Sequence, residues 1–208
     1  MVVDNAGIEE QADRAPRPSG PRAEAREQAI LDAALELIME VGYDRLSMDA
    51  LAERAHAGKA TIYRRWTGKA QVVAEAIRRR KSEHDLDPDT GSLREDLLTA
   101  LDHTCVSLSL DEAIVSGVMS AMRSDPELAE LMRTHVANGG GKFDGIVERA
   151  VNRGELPPGT TAGSIDEVAP ALVMMRLVFR GEALDDAFTA HLVDDILLPI
   201  LRPTPSTS

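Results

Sequence analysis

The sequence predicts an all-α protein of about nine helices in two domains. Apolar residues recur at spacings of three and four, as in Ile30, Ala34, Leu37 and Val41, which is typical of one face of a helix. No segment alternates β-branched and polar residues in the way that a half-buried strand requires. Hydrophobic residues make up 43% of the 208 positions, so the chain is long and apolar enough to bury a core.

Charge, cysteine content and hydropathy exclude several classes of protein. The single cysteine, Cys105, excludes an internal disulfide and a cysteine-rich metal site. The longest stretches without Asp, Glu, Lys or Arg, 113–122 and 156–165, contain ten residues each, and a membrane span needs about 18–20. We therefore expect a cytoplasmic protein with no metal, no cofactor and no membrane contact. The formal net charge of −12 argues against nucleic acid as a partner if the charge is evenly spread.

Short-range signals define the N-terminal helices. Residues 1–21 are poor in apolar side chains and contain several prolines, which predicts a disordered tail. A helix over about 24–41 follows and ends at Gly42, where glycine permits a left-handed conformation. Ser47 is a good N-cap for the next helix. The helices predicted next cover about 47–55, 59–66 and 69–83.

A polar, turn-rich segment over 85–91 marks the predicted domain boundary. This boundary gives a domain over 22–68, a connecting helix over 69–84 and a second domain over 85–208. Ser-x-x-Glu capping boxes and one Asp-Pro pair predict where the later helices begin. The capping residues are Ser92, Ser109, Asp125 and Ser164. The predicted helices cover about 93–108, 110–123, 126–152, 165–181 and 186–201, and the glycines at 139–141 weaken the third.

The two short helices over 47–55 and 59–66 form the pattern with the clearest chemical meaning. They meet at a short turn that contains Gly58, which is the shape of a helix-turn-helix whose second helix enters the DNA major groove. Residues 54–81 contain nine basic residues and one acidic residue, a local charge of +8, whereas 85–208 carry −12. This asymmetry predicts a basic contact surface beside an acidic body, and a solvated basic helix face stays open as an alternative.

Residue chemistry at the second helix of this unit agrees with DNA contact. Small side chains at Ala60 and Thr61, next to Lys59, allow the helix N-terminus to approach base edges. Ile62 and Trp66 are predicted to pack on the first helix of the unit instead. The predicted phosphate donors are Tyr63, Arg64, Arg65 and Lys69.

Residues 24–76 resemble the N-terminal DNA-binding domain of the TetR/AcrR family of transcriptional regulators. The most specific stretch is 59–63, KATIY, with Trp66 and Lys69 at the spacing of the family signature K-x-T-[LI]-Y-x-x-[FW]-x-x-K. The resemblance implies base or nearby backbone contacts for Lys59, Ala60, Thr61 and Arg64, and phosphate contacts for Ser47, Tyr63 and Lys69. The sequence departs from the family pattern where His56 replaces a glycine, Gly58 a serine and Thr67 a proline. His56 has to avoid a strongly positive φ or accept strain.

The same resemblance implies a repressor that binds a palindromic operator as a homodimer and is released by an unidentified small-molecule effector. It places the dimer interface on the last two helices, at Leu172, Met175, Leu177, Phe188, Leu192, Ile196 and Ile200. Adaptable and aromatic side chains predict a ligand pocket, with core packing as an equal alternative, at His103, Met119, Met122, Phe143, Met175 and Phe179.

Two alternative functions stay open. One is a transcriptional activator of the same fold, and the other is a helical ligand-sensing or interaction protein without DNA binding. No paired catalytic motif is present, so we do not expect an enzyme.

Overall fold

The computed structural model describes residues 20–83, 86–137 and 141–202, and in these ranges the chain forms ten helices and no strands. None of these helices is long and apolar enough to cross a bilayer. The N-terminal helices are α1 (Pro21–Val41), α2 (Met48–Arg54), α3 (Lys59–Tyr63) and α4 (Lys69–Glu83). The following helices are α5 (Leu93–Leu110), α6 (Glu112–Ala121), α7 (Pro126–Ala137) and α8 (Asp144–Asn152).

Two long helices complete the fold, and each contains a π-helical segment. Helix α9 covers Gly163–Met174 and continues as a π-helical segment over Met175–Arg180. Helix α10 covers Asp186–His191, continues as a π-helical segment over Leu192–Leu197 and ends with an α-helical turn over Leu198–Leu201. The all-α class is confirmed, and the helix over 59–66 is shorter than predicted.

The predicted helix over 126–152 is wrong, because it is two helices. Helix α7 ends at Ala137 and α8 begins at Asp144, which raises the number of helices from about nine to ten. Gly141 lies between them with φ of 89°, a value that a right-handed helix does not contain. The other two glycines of the predicted weak point, at 139 and 140, lie outside the described residues.

The predicted start positions are confirmed for α2, α5 and α7, and they are wrong by two residues for α6 and α9. The Ser47 side chain accepts a hydrogen bond from the backbone N–H of Ala50 at 3.2 Å, and Asp125 accepts one from Leu128 at 3.1 Å. Helix α6 follows Asp111 rather than Ser109, and α9 begins before Ser164. Ser92 precedes α5 but its side chain makes no capping bond. The carboxylate of Glu155 accepts from the Leu93 N–H instead, at 3.0 and 3.2 Å.

Helix α1 begins earlier than predicted, at the last residue of the predicted tail. Pro21 occupies its first turn, where proline is favoured because its missing N–H would have had no partner within the helix. Proline can therefore indicate the start of a helix as well as a disordered segment, and Pro21 indicates a helix start. The rest of the predicted tail, 1–19, lies outside the described residues.

Two hydrophobic cores organise the helices, and they do not follow the predicted division at 85–91. The first core joins α1, α2, α3 and α4 with side chains from α6 and α7, which are Ile114, Val118, Ala121 and Leu128. The second core joins α5, α8, α9 and α10. The division along the chain stays a prediction, whereas in space α6 and α7 pack with the N-terminal helices.

Ion pairs attach the segment between α4 and α5, together with the first turn of α5, to α8 and to the residue that follows it. Arg149 contacts the carboxylate of Asp87 at 2.6 Å, and Arg153 contacts that of Asp96 at 3.1 Å. Asp96 is fully buried, and burial alone would raise its pKa. Hydrogen bonds donated by the Thr90 N–H and hydroxyl, together with Arg153, outweigh burial and lower the pKa of Asp96. The predicted domain boundary is thus held against the helices of the second core by ion pairs and hydrogen bonds.

Candidate nucleic-acid interface

Helices α2 and α3 form a helix-turn-helix with one buried and one exposed face. Ile62 and Trp66 are buried in the first core together with Leu51 of α2, as predicted for the inner face of the second helix. The opposite face of α3 is open to solvent. Its exposed side chains are Lys59, Ala60, Tyr63 and Arg64, with Thr61 half-buried beside them.

The turn between the two helices depends on a strained residue. His56 has φ of 47°, and it is the non-glycine residue with positive φ in the described part of the chain. The N–H of Ala57 donates to the carbonyl of Ala52 at 3.0 Å, and the N–H of His56 donates to Glu53 at 3.2 Å. These two bonds form a Schellman motif, which needs a left-handed residue at this position. Gly58 has φ of −68° and ψ of 135°, an ordinary conformation.

Three of the predicted DNA-contacting cations have partners within the protein. Lys59 forms an ion pair with Asp49 at 2.8 Å, and this pairing raises the pKa of Lys59. Arg65 contacts Glu27 at 2.7 Å, and Glu27 is only 5% exposed. The ammonium of Lys69 donates to the carbonyl of Tyr43 at 2.9 Å and lies over the Tyr43 ring, 4.3 Å from its centre.

Carboxylates from outside the basic segment also neutralise other cations in it. Arg54 contacts Glu40 of α1 at 2.5 Å, and Arg80 contacts Asp111 at 2.5 Å. The local charge of +8 counted along 54–81 therefore overstates the charge on this surface. Arg64 differs from these residues, because its side chain is exposed and forms no ion pair within the described ranges.

Sequence reasoning missed Glu27 as a partner of Arg65 and Asp49 as a partner of Lys59. Glu27 lies on α1, far from Arg65 along the chain, and no spacing rule connects the two. Asp49 lies ten positions before Lys59, and its position in the first turn of α2 explains an acidic residue by itself. Only the crossing of α2 and α3 brings the carboxylate to the ammonium group.

Comparisons with known proteins agree with this geometry. The family model "Bacterial regulatory proteins, tetR family" matches residues 30–76, and "Tetracyclin repressor-like, C-terminal domain" matches 87–196. The chain belongs to the TetR family. It is a DNA-binding transcriptional regulator. TetR-family proteins are known as non-enzymatic regulators.

Relatives of this TetR-family chain match it over most of its length. The DNA-binding transcriptional repressor TetR of Mycobacteroides abscessus is 40% identical over 185 residues, covering 88% of this chain and 97% of the relative. The HTH-type transcriptional regulator YdeS of Bacillus subtilis is 30% identical over 175 residues, with coverage of 83% and 88%. Among solved structures, the TetR family transcription regulator SCO0332 has a TM-score of 0.66 at 24% identity, covering 83% of this chain and 96% of that one. This last likeness shows the fold alone.

The side chains predicted for the ligand pocket of this TetR-family protein are distributed over both hydrophobic cores and the surface. Phe143 is buried in the second core, whereas Met122 packs against the first. Met175 and Phe179 are exposed, and His103 and Met119 are half-buried. A depression of about 370 Å³ at the junction of α5 and α6 is lined by other residues, which are Ser109, Leu110, Glu112, Ala113 and Ser116.

The residues predicted for the dimer interface divide into two groups. Leu177, Phe188 and Leu192 are buried within the protomer, so they are not available to a partner as the structure stands. Phe188 and Leu192 belong to the second core, where α10 packs on α5 and α9, and the π-helical segment that contains Leu177 packs on α6. Met175 and Ile200 are exposed, and Leu172 and Ile196 are half-buried.

Proposed function

We propose that the protein is a transcriptional repressor that binds a palindromic operator as a homodimer and leaves it when a small-molecule effector binds. The main support for this proposal is the exposed face of α3, which lies opposite the buried Ile62 and Trp66. The side chains on this face are Lys59, Ala60, Tyr63 and Arg64. A short helix with small and basic side chains at its start suits the DNA major groove. The 40% identical relative from Mycobacteroides abscessus is named a repressor, which supports the direction of regulation.

The surroundings of each predicted contact residue support different roles on DNA. In this proposal Lys59, Ala60, Thr61 and Arg64 face base edges or nearby backbone, and Ser47, Gly58 and Tyr63 lie along the phosphates. Arg65 and Lys69 act as positioning residues, because Glu27 and the Tyr43 carbonyl occupy their donors. Lys69 then fixes the start of α4 against the turn that follows α1.

Exposed apolar side chains on the last two helices support a homodimer. Phe179 is 70% exposed and Met175 lies one turn earlier on the same helix, also exposed. Ile200 is exposed on α10. Large apolar groups of this kind are costly to leave in water and are typical of protein interfaces. A two-fold axis through this surface would present two copies of α3 to two half-sites of one operator.

Packing between α6 and the N-terminal helices supports regulation by an effector. Ile114 and Val118 of α6 belong to the same core as α1 and α4, so a displacement of α6 strains the contacts of the helix-turn-helix. Arg80 at the end of α4 contacts Asp111 immediately before α6, at 2.5 Å. If the protein has two conformations that differ in the placement of α6, an effector with a higher affinity for one of them would shift the protein between DNA-binding and released states.

Operator selection and a matched pair of arginine variants test the DNA-binding role. A duplex is selected from a random library with the full-length protein, and affinities for this duplex and for a shuffled duplex are measured across salt concentrations. We expect Arg64→Ala to weaken operator binding about 10–100-fold. Arg133→Ala on α7, whose arginine is exposed and pairs with Glu130, should have no effect.

Two results would contradict the proposed function. Failure of the wild-type protein to prefer any selected duplex, or binding that does not depend on salt, would contradict DNA recognition through phosphate contacts. Transcription in vitro from a promoter that carries the selected duplex then separates repression from activation. An increase in transcript on adding the protein would contradict the repressor assignment and favour an activator.

A further inference from the structure

An exposed carboxylate lies on the surface that α3 presents to DNA. Asp49, in the first turn of α2, contacts the ammonium of Lys59, the first residue of α3, at 2.8 Å. The two side chains are 69% and 59% exposed, so the pair lies at the surface. Glu27, which pairs with Arg65, is buried beneath the helices instead. Asp49 therefore remains close to any ligand that Lys59 contacts.

We propose that Asp49 is a specificity-determining residue of the DNA interface, which neutralises Lys59 against non-operator DNA and accepts a hydrogen bond from a base amino group on the operator. Cytosine N4 is the base donor that carboxylates accept from in the major groove. Lys59 would donate to guanine O6 or N7, so the Lys59–Asp49 pair would recognise a G·C pair or two neighbouring G·C pairs. This inference rests on the proposed DNA-binding role of α3.

The energetic argument compares two ligands for Lys59. When Lys59 contacts a phosphate alone, it exchanges one anionic partner, Asp49, for another. The Asp49 carboxylate is then left unpaired next to the DNA backbone. Like charges repel, so the net gain from this exchange is small. On a suitable base pair both members of the ion pair find partners, because lysine donates and the carboxylate accepts. Asp49 thus weakens sequence-independent binding more than it weakens operator binding.

A purely structural role of Asp49 predicts a different result. An acidic residue in the first turn of α2 stabilises the helix through its dipole. Loss of that effect alone would lower the free energy of unfolding and would change the affinities for all duplexes by the same factor. The ratio of operator to shuffled-duplex affinity separates the two roles, because a structural effect cancels in it.

The experiment compares Asp49→Asn with Glu53→Gln in the full-length protein. Glu53 is an exposed carboxylate on the same helix and forms no ion pair within the described ranges. We expect Asp49→Asn to raise affinity for the shuffled duplex about 5–10-fold, and to steepen the slope of log affinity against log salt by about one. Operator affinity should change less than about 3-fold. Glu53→Gln should leave the affinity ratio unchanged.

A double-mutant cycle links the effect to Lys59. In a Lys59→Ala background, Asp49→Asn should no longer change the affinity ratio, since the ammonium that it would release is absent. An unchanged ratio in Asp49→Asn, an equal change on both duplexes, or a persistent effect without Lys59 would overturn the inference while the wild-type operator preference stands. A wild-type protein that selects no duplex would overturn the proposed function, and this inference with it.

Discussion

At the scale of single residues, His56 shows how a local departure from a pattern is accommodated. The Schellman motif at the end of α2 needs a left-handed residue, and His56 adopts φ of 47° to supply it. A β-carbon in this region costs about 1–2 kcal/mol, although histidine is among the residues that tolerate it best. The turn therefore keeps its hydrogen bonds at the expense of backbone strain.

Replacement of His56 by glycine should stabilise the protein. Glycine removes the steric cost of the left-handed conformation but adds freedom to the unfolded chain, so we expect a net gain of about 0.5–1 kcal/mol in the free energy of unfolding. Urea denaturation measures it. His56→Ala is the control, because alanine keeps the β-carbon while losing the imidazole. An equal gain in both variants would show that strain is not the cause.

At the scale of elements, a hydrogen bond joins the turn after α1 to the start of α7. The hydroxyl of Tyr43 donates to Asp125 at 2.5 Å, and the same carboxylate caps α7. The Tyr43 bond, followed by the bond from the Leu128 N–H, lowers the pKa of Asp125 below its ordinary value of 3.8. Burial and the neighbouring carboxylate raise the pKa of Tyr43. Asp125 thus caps α7 and joins it to the turn that follows α1.

Removal of the Tyr43 hydroxyl should give a pH-dependent loss of stability. We expect Tyr43→Phe to cost about 1–2 kcal/mol at pH 7. A lowered carboxyl pKa contributes stability that is complete above 3.8 and is lost as pH falls through the lowered value. Urea denaturation at about pH 7, 5 and 3 should therefore show an equal cost at the first two values and a smaller cost at the third.

Tyr63→Phe is the control for this loss, since Tyr63 is exposed and its hydroxyl has no hydrogen-bond partner in the described residues. It should leave the free energy of unfolding unchanged at all three pH values. A constant cost of Tyr43→Phe down to the lowest pH would contradict the assignment of the effect to the Asp125 carboxylate.

Close packing of α6 on α1 depends on a small residue. A β-carbon added at Gly117 would lie 3.3 Å from the Cγ2 atom of Ile38. Ile38 is buried in the first core, so it has little room to move. The approach of α6 to the N-terminal helices is therefore set by the missing side chain at this position.

A larger side chain at Gly117 should push α6 away from α1. Overpacking typically costs about 1–3 kcal/mol, and we expect Gly117→Val to lower the free energy of unfolding by this amount. Ser116→Val puts the same β-branched residue at the preceding position of α6, which is exposed, and should cost less than about 0.5 kcal/mol. Chemical denaturation of both variants measures the difference. Equal costs would show that helix propensity, rather than the contact with Ile38, decides the result.

At the scale of the whole molecule, two cores and an uneven charge distribution define the protein. Residues 85–208 carry a charge of −12, equal to that of the whole chain, whereas the basic segment is largely paired with carboxylates of its own protomer. General attraction to DNA is therefore weaker than a sequence count of +8 indicates. Recognition then depends more on the exposed face of α3 than on long-range attraction.

A charge placed in the exposed apolar surface of α9 should prevent dimer formation. We expect Phe179→Glu to raise the dissociation constant of the proposed dimer about 30–1,000-fold, because a carboxylate would have to be buried without a partner. Analytical ultracentrifugation measures the dissociation constant. Val136→Glu on α7 is the control, since Val136 is equally exposed but lies on another helix. A dimer that survives Phe179→Glu would place the interface elsewhere.

The sequence by itself determined the helical class, the position of the helix-turn-helix and its buried face. These features depend on interactions within about one or two helical turns, which are visible as periodic apolar residues and as caps such as Ser47. Pro21 at the start of α1, and Ser109 and Ser164 near the starts of later helices, were misinterpreted, because the same local pattern is compatible with more than one role. Tertiary context selects among these roles, as when Glu155 rather than Ser92 caps α5.

Only the tertiary structure decided which charges meet and which apolar faces stay open. Asp49 reaches Lys59, Glu27 reaches Arg65 and Asp111 reaches Arg80 because helices cross, and no spacing along the chain encodes those crossings. Phe179 stays exposed while Phe188 is buried because α9 and α10 each turn one side of their stripe toward the second core. Local sequence patterns determine where the helices form, and long-range packing determines which side chains of each helix are exposed to solvent.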